Sequence, residues 1–267
     1  MKELLVRGLS GVVYIAIVIA SMFISREWFM GLFILLAVIT LSEFLKLIHL
    51  KSYLAYALLL AGMYFFSYRI FDHYAVLLLL ILCGFVNLFL LKDVLWTSKI
   101  PMFEKKKYIV VIFYLISGFI FLVNIPYRNE TFTPEILLAV FILIWSNDSF
   151  AYLVGKNFGK RKLLERISPK KTVEGFFGGL VGAMMASFII FKVTGLYNLS
   201  IWLGMAILIS IFGTIGDLIQ SKFKRQACVK DSGTVMPGHG GMYDRLDSII
   251  YASPFVYAFL EIIDYVS

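Results

Sequence analysis

PEILLAVFILIWSNDSFAYLV, residues 134–154, decides the class of fold. A helix that crosses a bilayer needs roughly 20 mostly apolar residues, and this stretch supplies them. Beyond Glu135 at its start, one acid, Asp148, sits inside the run. A carboxylate at membrane depth is disfavoured by about 2.5–3.5 kcal/mol even on insertion scales, so it faces a polar cavity or a partner, or else lies at a helix end near the interface. Working outward, further apolar stretches lie at about 6–24, 28–48, 53–71, 74–91, 108–125, 173–195, 200–220 and 248–265. Polar loops separate several of them, notably Lys92–Lys107, Gly155–Lys171 and Ser221–Asp247.

The composition agrees with lipid as the solvent. Of 267 residues, 60% are hydrophobic, against nearer half for a soluble domain, and the mean hydropathy is +0.87. The fold expected is all-α: one integral membrane domain over 1–267 with about nine transmembrane helices. Residues 1–130 are its N-terminal spans. Residues 131–267 are its C-terminal spans, with a polar motif at 217–247. The N-terminal apolar stretch is longer than a signal-peptide core and has no clear small-x-small site, so it reads as a retained first span. Cys83 lies in an apolar run and Cys228 in a basic loop, which argues against a disulfide framework.

Basic residues set the expected orientation. With nine spans and a cytoplasmic N-terminus, the cytoplasmic segments hold Lys2, Arg7, Lys46 and Lys51, together with the lysines and arginines of the three polar loops. The opposite side keeps only Arg26, Arg69, Arg128 and Lys192. That is the asymmetry of the positive-inside rule. It implies a multi-pass protein of the cell (inner) membrane whose polar motif faces the cytoplasm. The net charge of +8 then reflects topology and anionic lipid heads. No nucleic-acid module accompanies it, so nucleic acid is not an expected partner.

The segment SKFKRQACVKDSGTVMPGHGGMYDRLD, 221–247, carries the densest chemistry. Lys224, Arg225 and Lys230 suit phosphate oxygens. Gly238, Gly240 and Gly241 permit the close backbone approach of phosphate-cradling loops. Asp244 and Asp247 share a face if helical, and hard oxygen ligands of this kind suit Mg²⁺ bound through one or two carboxylates plus substrate phosphates. Asp217 is a candidate third ligand. Taken singly, most of these residues read as a solvated loop; taken together they point to phosphate chemistry on a lipid. Glu43, three residues before Lys46, is accounted for by a helical ion pair. Gly175, Gly178, Gly179 and Gly182 form two GxxxG spacings that read as close helix packing, and Thr172 is a candidate cap for the helix bearing them.

The same segment resembles the motif of the phosphatidate cytidylyltransferases, or CDP-diacylglycerol synthases. Ser221, Phe223, Lys224, Arg225, Lys230, Asp231, Gly233, Pro237, His239, Gly240, Gly241, Asp244, Arg245 and Asp247 match it, with Met236 in place of another apolar residue. Asp148, Ala151, Tyr152, Gly155, Phe158, Gly159 and the stretch 167–179 are also similar, so the likeness covers the C-terminal half. It implies an integral membrane homodimer that uses Mg²⁺ and has a polar cavity open to the cytoplasm. The expected reaction is cytidylyl transfer from CTP to phosphatidic acid, giving CDP-diacylglycerol and pyrophosphate for phospholipid synthesis. Asp217, Asp244 and Asp247 are expected to hold Mg²⁺, with Asp148 in an outer role or at a second cation. Asp217, Lys224, Asp244 and Asp247 are the expected catalytic set. Lys170, Lys171, Ser221, Arg225, Lys230, His239, Gly240, Gly241 and Arg245 are expected to bind substrate phosphates. A CTP-dependent lipid kinase and an ion transporter lined by Asp148 and Asp217 are the alternatives.

Overall fold

In hydrocarbon every backbone N–H and C=O must pair within its own segment, which leaves helices as the form for single apolar stretches. The computed structural model describes residues 2–69, 72–128, 131–236, 238 and 240–266, with side chains from residue 8 on. Its helices are α1 (Lys2–Ile24), α2 (Arg26–Leu47), α3 (Tyr53–Met63), α4 (His73–Trp96), α5 (Glu104–Val110), α6 (Ser117–Asn124), α7 (Pro134–Phe158), α8 (Val173–Thr194), α9 (Leu199–Gln226) and α10 (Tyr243–Val266). A π turn, Val111–Ile116, joins α5 and α6 into one rod, and another, Tyr64–Tyr68, continues α3. Among the described residues, seven helical stretches are long and apolar enough to cross a membrane: α2, α4, the α5–α6 rod, α7, α8, α9 and α10. Gly8–Ile24 and Tyr53–Tyr68 are shorter apolar helices. The chain is an all-α polytopic membrane protein with two small antiparallel hairpins, β1 (Tyr127–Arg128) with β2 (Thr131–Phe132), and β3 (Lys162–Leu164) with β4 (Ser168–Thr172).

Side-chain caps fix several helix starts: Ser25, Ser52, Asp72, Thr172 and Asn198 each accept a first-turn N–H. Two boundaries differ from expectation. α9 runs on to Gln226, so Ser221, Lys224 and Arg225 are helical. α10 starts at Tyr243, which puts Asp244, Arg245 and Asp247 on its opening turns. Hydropathy marks where a helix leaves the apolar layer, whereas these helices continue beyond it because their polar side chains find partners in the loop.

Close backbone approach holds the C-terminal helices together. A methyl at Gly178 of α8 would lie 2.5 Å from Val154, and one at Gly179 would lie 2.8 Å from the Asn147 carbonyl. The glycine spacing thus packs α8 on α7, as expected of small residues in lipid. Likewise, Gly216 of α9 abuts the Asp247 carbonyl and Gly118 of α6 abuts that of Ile250, so both lie hard against α10.

Polar contacts gather at two poles. At one, the buried Lys222 ammonium of α9 donates to the carbonyls of Asp93 and Thr97, Arg166 donates to that of Val94, and Gln226 bonds both polar backbone atoms of Ile100. Lys222 and Arg166 thus tie the end of α9 and the β3–β4 hairpin to carbonyls closing α4, and Gln226 ties α9 to the loop that follows. At the other pole, Arg26 lies 4.6 Å from the Tyr127 ring, and Arg128 bonds Glu261 at 3.0 Å and Asp264 at 3.1 Å.

Candidate active site

The 227–242 loop is positioned by two buried carboxylates. Glu43, 3% exposed on α2, accepts from the Met242 and Tyr243 backbone N–H groups, both at 2.9 Å. It thereby satisfies donors at the α10 N-terminus, where the helix dipole also favours negative charge. Asp244 accepts from Lys224 Nζ at 2.7 Å, Gln220 Nε2 at 3.0 Å, Ser232 N at 2.8 Å and Gly241 N at 2.9 Å. The Ser232 hydroxyl lies 2.8 Å from Glu43 and 3.0 Å from Asp244, and its one proton serves either acid. Beneath them Phe44, Tyr114, Phe223 and Tyr243 form an aromatic floor, with the two tyrosine hydroxyls 2.7 Å apart. Glu43 therefore works across the fold on the loop, and the helical ion pair expected with Lys46 is not found among the described residues.

Two cavities flank the junction of α7, α9 and α10. The larger, about 640 Å³, is lined by Lys156, Lys162, Lys170 and Lys171, by Tyr152 and Phe176, and by Asp148 and Asp217. The smaller, about 260 Å³, is lined by Tyr14, Trp145, Asp148, Asp244, Arg245 and Asp247, together with apolar side chains. Asp148 borders both. The β3–β4 hairpin brings Lys171 to 2.5 Å from Asp217, and Ser221, one turn on, donates to Asp217 at 3.2 Å. Asp247 is 8% exposed and accepts from the Ser248 N–H at 2.8 Å.

Of the expected residues, Asp148, Asp217, Asp247, Lys170, Lys171, Ser221 and Arg245 converge on these cavities. Lys224, Gly241 and Asp244 are joined in the loop network. Gly240 takes a left-handed conformation (φ +89°) beside Asp244. Arg225 and Lys230 are exposed and line neither cavity. His239 lies outside the described residues. Sequence reading passed over Lys156, Lys162, Ser232 and Tyr14. An acid inside ITLSEFLKLIH was a signal for Glu43, but its partners lie 189 to 200 residues away.

The donors at the junction are hard oxygens, the chemistry Mg²⁺ prefers. Among the described residues no three His, Cys, Asp or Glu side chains close on one point, so the protein alone does not enclose a cation. Two carboxylates, Asp148 and Asp217, on a cavity ringed by lysines still fit Mg²⁺, which keeps few protein ligands. Asp244 fits less well, since five donor contacts surround its carboxylate.

A model of the cytidylyltransferase family matches residues 5–263. The chain belongs to the cytidylyltransferase family. Among curated proteins, this cytidylyltransferase-family chain is 50% identical over 122 residues to the phosphatidate cytidylyltransferase of Bacillus subtilis (strain 168), a stretch covering 45% of each protein. It is 41% identical over 143 residues to that of Staphylococcus aureus (strain COL), covering 53% of each. The matched stretches thus span about half the length of these relatives.

Proposed function

We propose that the chain transfers the cytidylyl group of CTP to phosphatidate, releasing pyrophosphate and forming CDP-diacylglycerol. The observation that carries this reading is the pairing of a lysine-lined cavity that holds Asp148 and Asp217 with a second cavity, across Asp148, that sets Arg245 and Tyr14 beside Asp244 and Asp247. Family membership and the names of the partial relatives support it. A phosphatidate oxygen attacks the α-phosphorus, the bond from that phosphorus to the bridging oxygen breaks, and pyrophosphate leaves with the electron pair. The nucleophile is already an anion, so no protein base is required. The residues supply position and electrostatics.

Lys156, Lys162, Lys170 and Lys171 would receive the triphosphate. Lys171 pairs with Asp217 in this arrangement; moving its ammonium onto a phosphate would free a carboxylate oxygen. Asp217 and Asp247 would then hold Mg²⁺, with Asp148 beside them or at a second cation, and Asp244 would join only by giving up a loop donor. The metal would neutralise charge on the triphosphate and the leaving pyrophosphate. Lys224, by pairing with Asp244, sets the loop that presents Arg245 and Asp247. We further propose that the pole carrying these cavities faces the cytoplasm, with nine crossings and the N-terminus on that side, and that the working form in the cell membrane is a homodimer.

The test is to incubate purified protein with CTP, Mg²⁺ and phosphatidate in mixed micelles and identify products. CDP-diacylglycerol and pyrophosphate in equal amounts are expected. Release of CDP without pyrophosphate would overturn the reading in favour of phosphoryl transfer.

A further inference from the structure

The Tyr14 hydroxyl is buried and has no hydrogen-bond partner among the described residues. A hydroxyl without a partner in an apolar setting is unfavourable, so its place calls for an acceptor. It lies on α1, which turns Gly11, Tyr14 and Ile15 into the smaller cavity and Leu9, Val12 and Val13 outward. One helix therefore separates that cavity from the lipid. Opposite Tyr14 stand Arg245 and, on α7, Trp145 and Phe141.

Size separates the roles of the two cavities. About 640 Å³ falls inside the range of roughly 300–1,000 Å³ typical of small-ligand pockets. About 260 Å³ falls below it and suits a headgroup whose tails lie elsewhere. Their charged groups differ as well: the larger is ringed by four lysines, while the smaller offers one arginine and a hydroxyl beside Asp244 and beside Asp148 and Asp247, the acids assigned above to Mg²⁺. We propose that the smaller cavity seats the glycerophosphate head of the lipid substrate, and that Tyr14 determines lipid specificity by donating its hydroxyl proton to that head beside Arg245. This deepens the transfer reaction proposed above and rests on it for the identity of the lipid. Asp148, at the partition, would then face both substrates.

The test uses the full chain and Tyr14→Phe, which keeps the ring. In mixed micelles, KM for phosphatidate is expected to rise about tenfold in the variant, within the range for a hydrogen bond to a charged group, while KM for CTP stays within about twofold. An equal rise in both constants, or no rise for the lipid, would overturn the assignment. A second readout needs no turnover. Phosphatidate brominated on its acyl chains close to the glycerol should quench Trp145, measured as the quench lost in Trp145→Phe. That quench should weaken in Tyr14→Phe, and equal quenching by brominated phosphatidylcholine would overturn the specificity. If the wild type makes no CDP-diacylglycerol yet Trp145 is quenched selectively, the reaction is wrong and the seat stands. Turnover without either Tyr14 effect would leave the reaction and remove the seat.

Discussion

Helix α10 carries an acid pair at each end, with the same three-residue spacing: Asp244 and Asp247 at its start, Glu261 and Asp264 near its finish. At the far end Arg128, 6% exposed, bonds both acids and stacks 4.9 Å from the Tyr257 ring, tying the β1–β2 hairpin to the helix. Neither described cavity reaches that cluster. At the near end both acids border the smaller cavity, but the pair divides its labour: Asp244 is held by donors of α9 and the loop, while Asp247 accepts from the Ser248 N–H. Spacing alone therefore does not make a site. A carboxylate is available for chemistry when the fold leaves space in front of it and commits few of its bonds to holding the structure.

This contrast can be broken by substitution. The largest effect is expected from Asp247→Asn, which should lower turnover by about 10³-fold, the upper range for one preorganised electrostatic group, in protein that still elutes as the wild type does. A loss below about tenfold would show that the two ends of α10 are not so different. Next, Arg128→Met should destabilise the fold by about 3 kcal/mol, the low end for breaking a buried pair, because the acids keep some solvent; thermal unfolding in detergent measures it. Turnover per folded molecule should hold, and its collapse would make the far cluster part of the chemistry. Glu43→Gln should cost about 1.5–2 kcal/mol through weaker bonds to Met242 and Tyr243, seen as faster proteolysis of the loop. Asp264→Asn should be mildest, about 1 kcal/mol, since Arg128 retains Glu261.

Much of this architecture was legible in the chain. Each apolar stretch is a local signal, and lipid leaves it one way to fold, so the helices fall close to the expected positions. The glycine seam was legible for the same reason: its four residues lie within two turns of α8. The site was legible as a set of residue types but not as a set of pairings. Lys224 reads as a phosphate ligand from its neighbours in the chain, whereas its partner in the fold, Asp244, lies 20 residues on. Lys222, in the same motif, turns away to the end of α4, 125 to 129 residues back. Which cation meets which acid depends on how helices cross, and hydropathy carries no record of crossing. The convergence of Lys156 and Lys162 was hidden likewise: one lies on α7 and the other on β3, and only the fold brings both to the cavity that Asp217 lines.

The seam between α7 and α8 also fixes a dimension. Asp148 hangs from one of these helices and Lys171 from the strand that enters the other, so the gap they span across the larger cavity is inherited from how near the two backbones lie. That nearness depends on hydrogen atoms standing where methyl groups would otherwise be. Adding one methyl in the lipid layer would pry the cavity's walls apart, and a change made among hydrocarbon tails would surface as a poorer grip on the water-soluble nucleotide proposed to enter there.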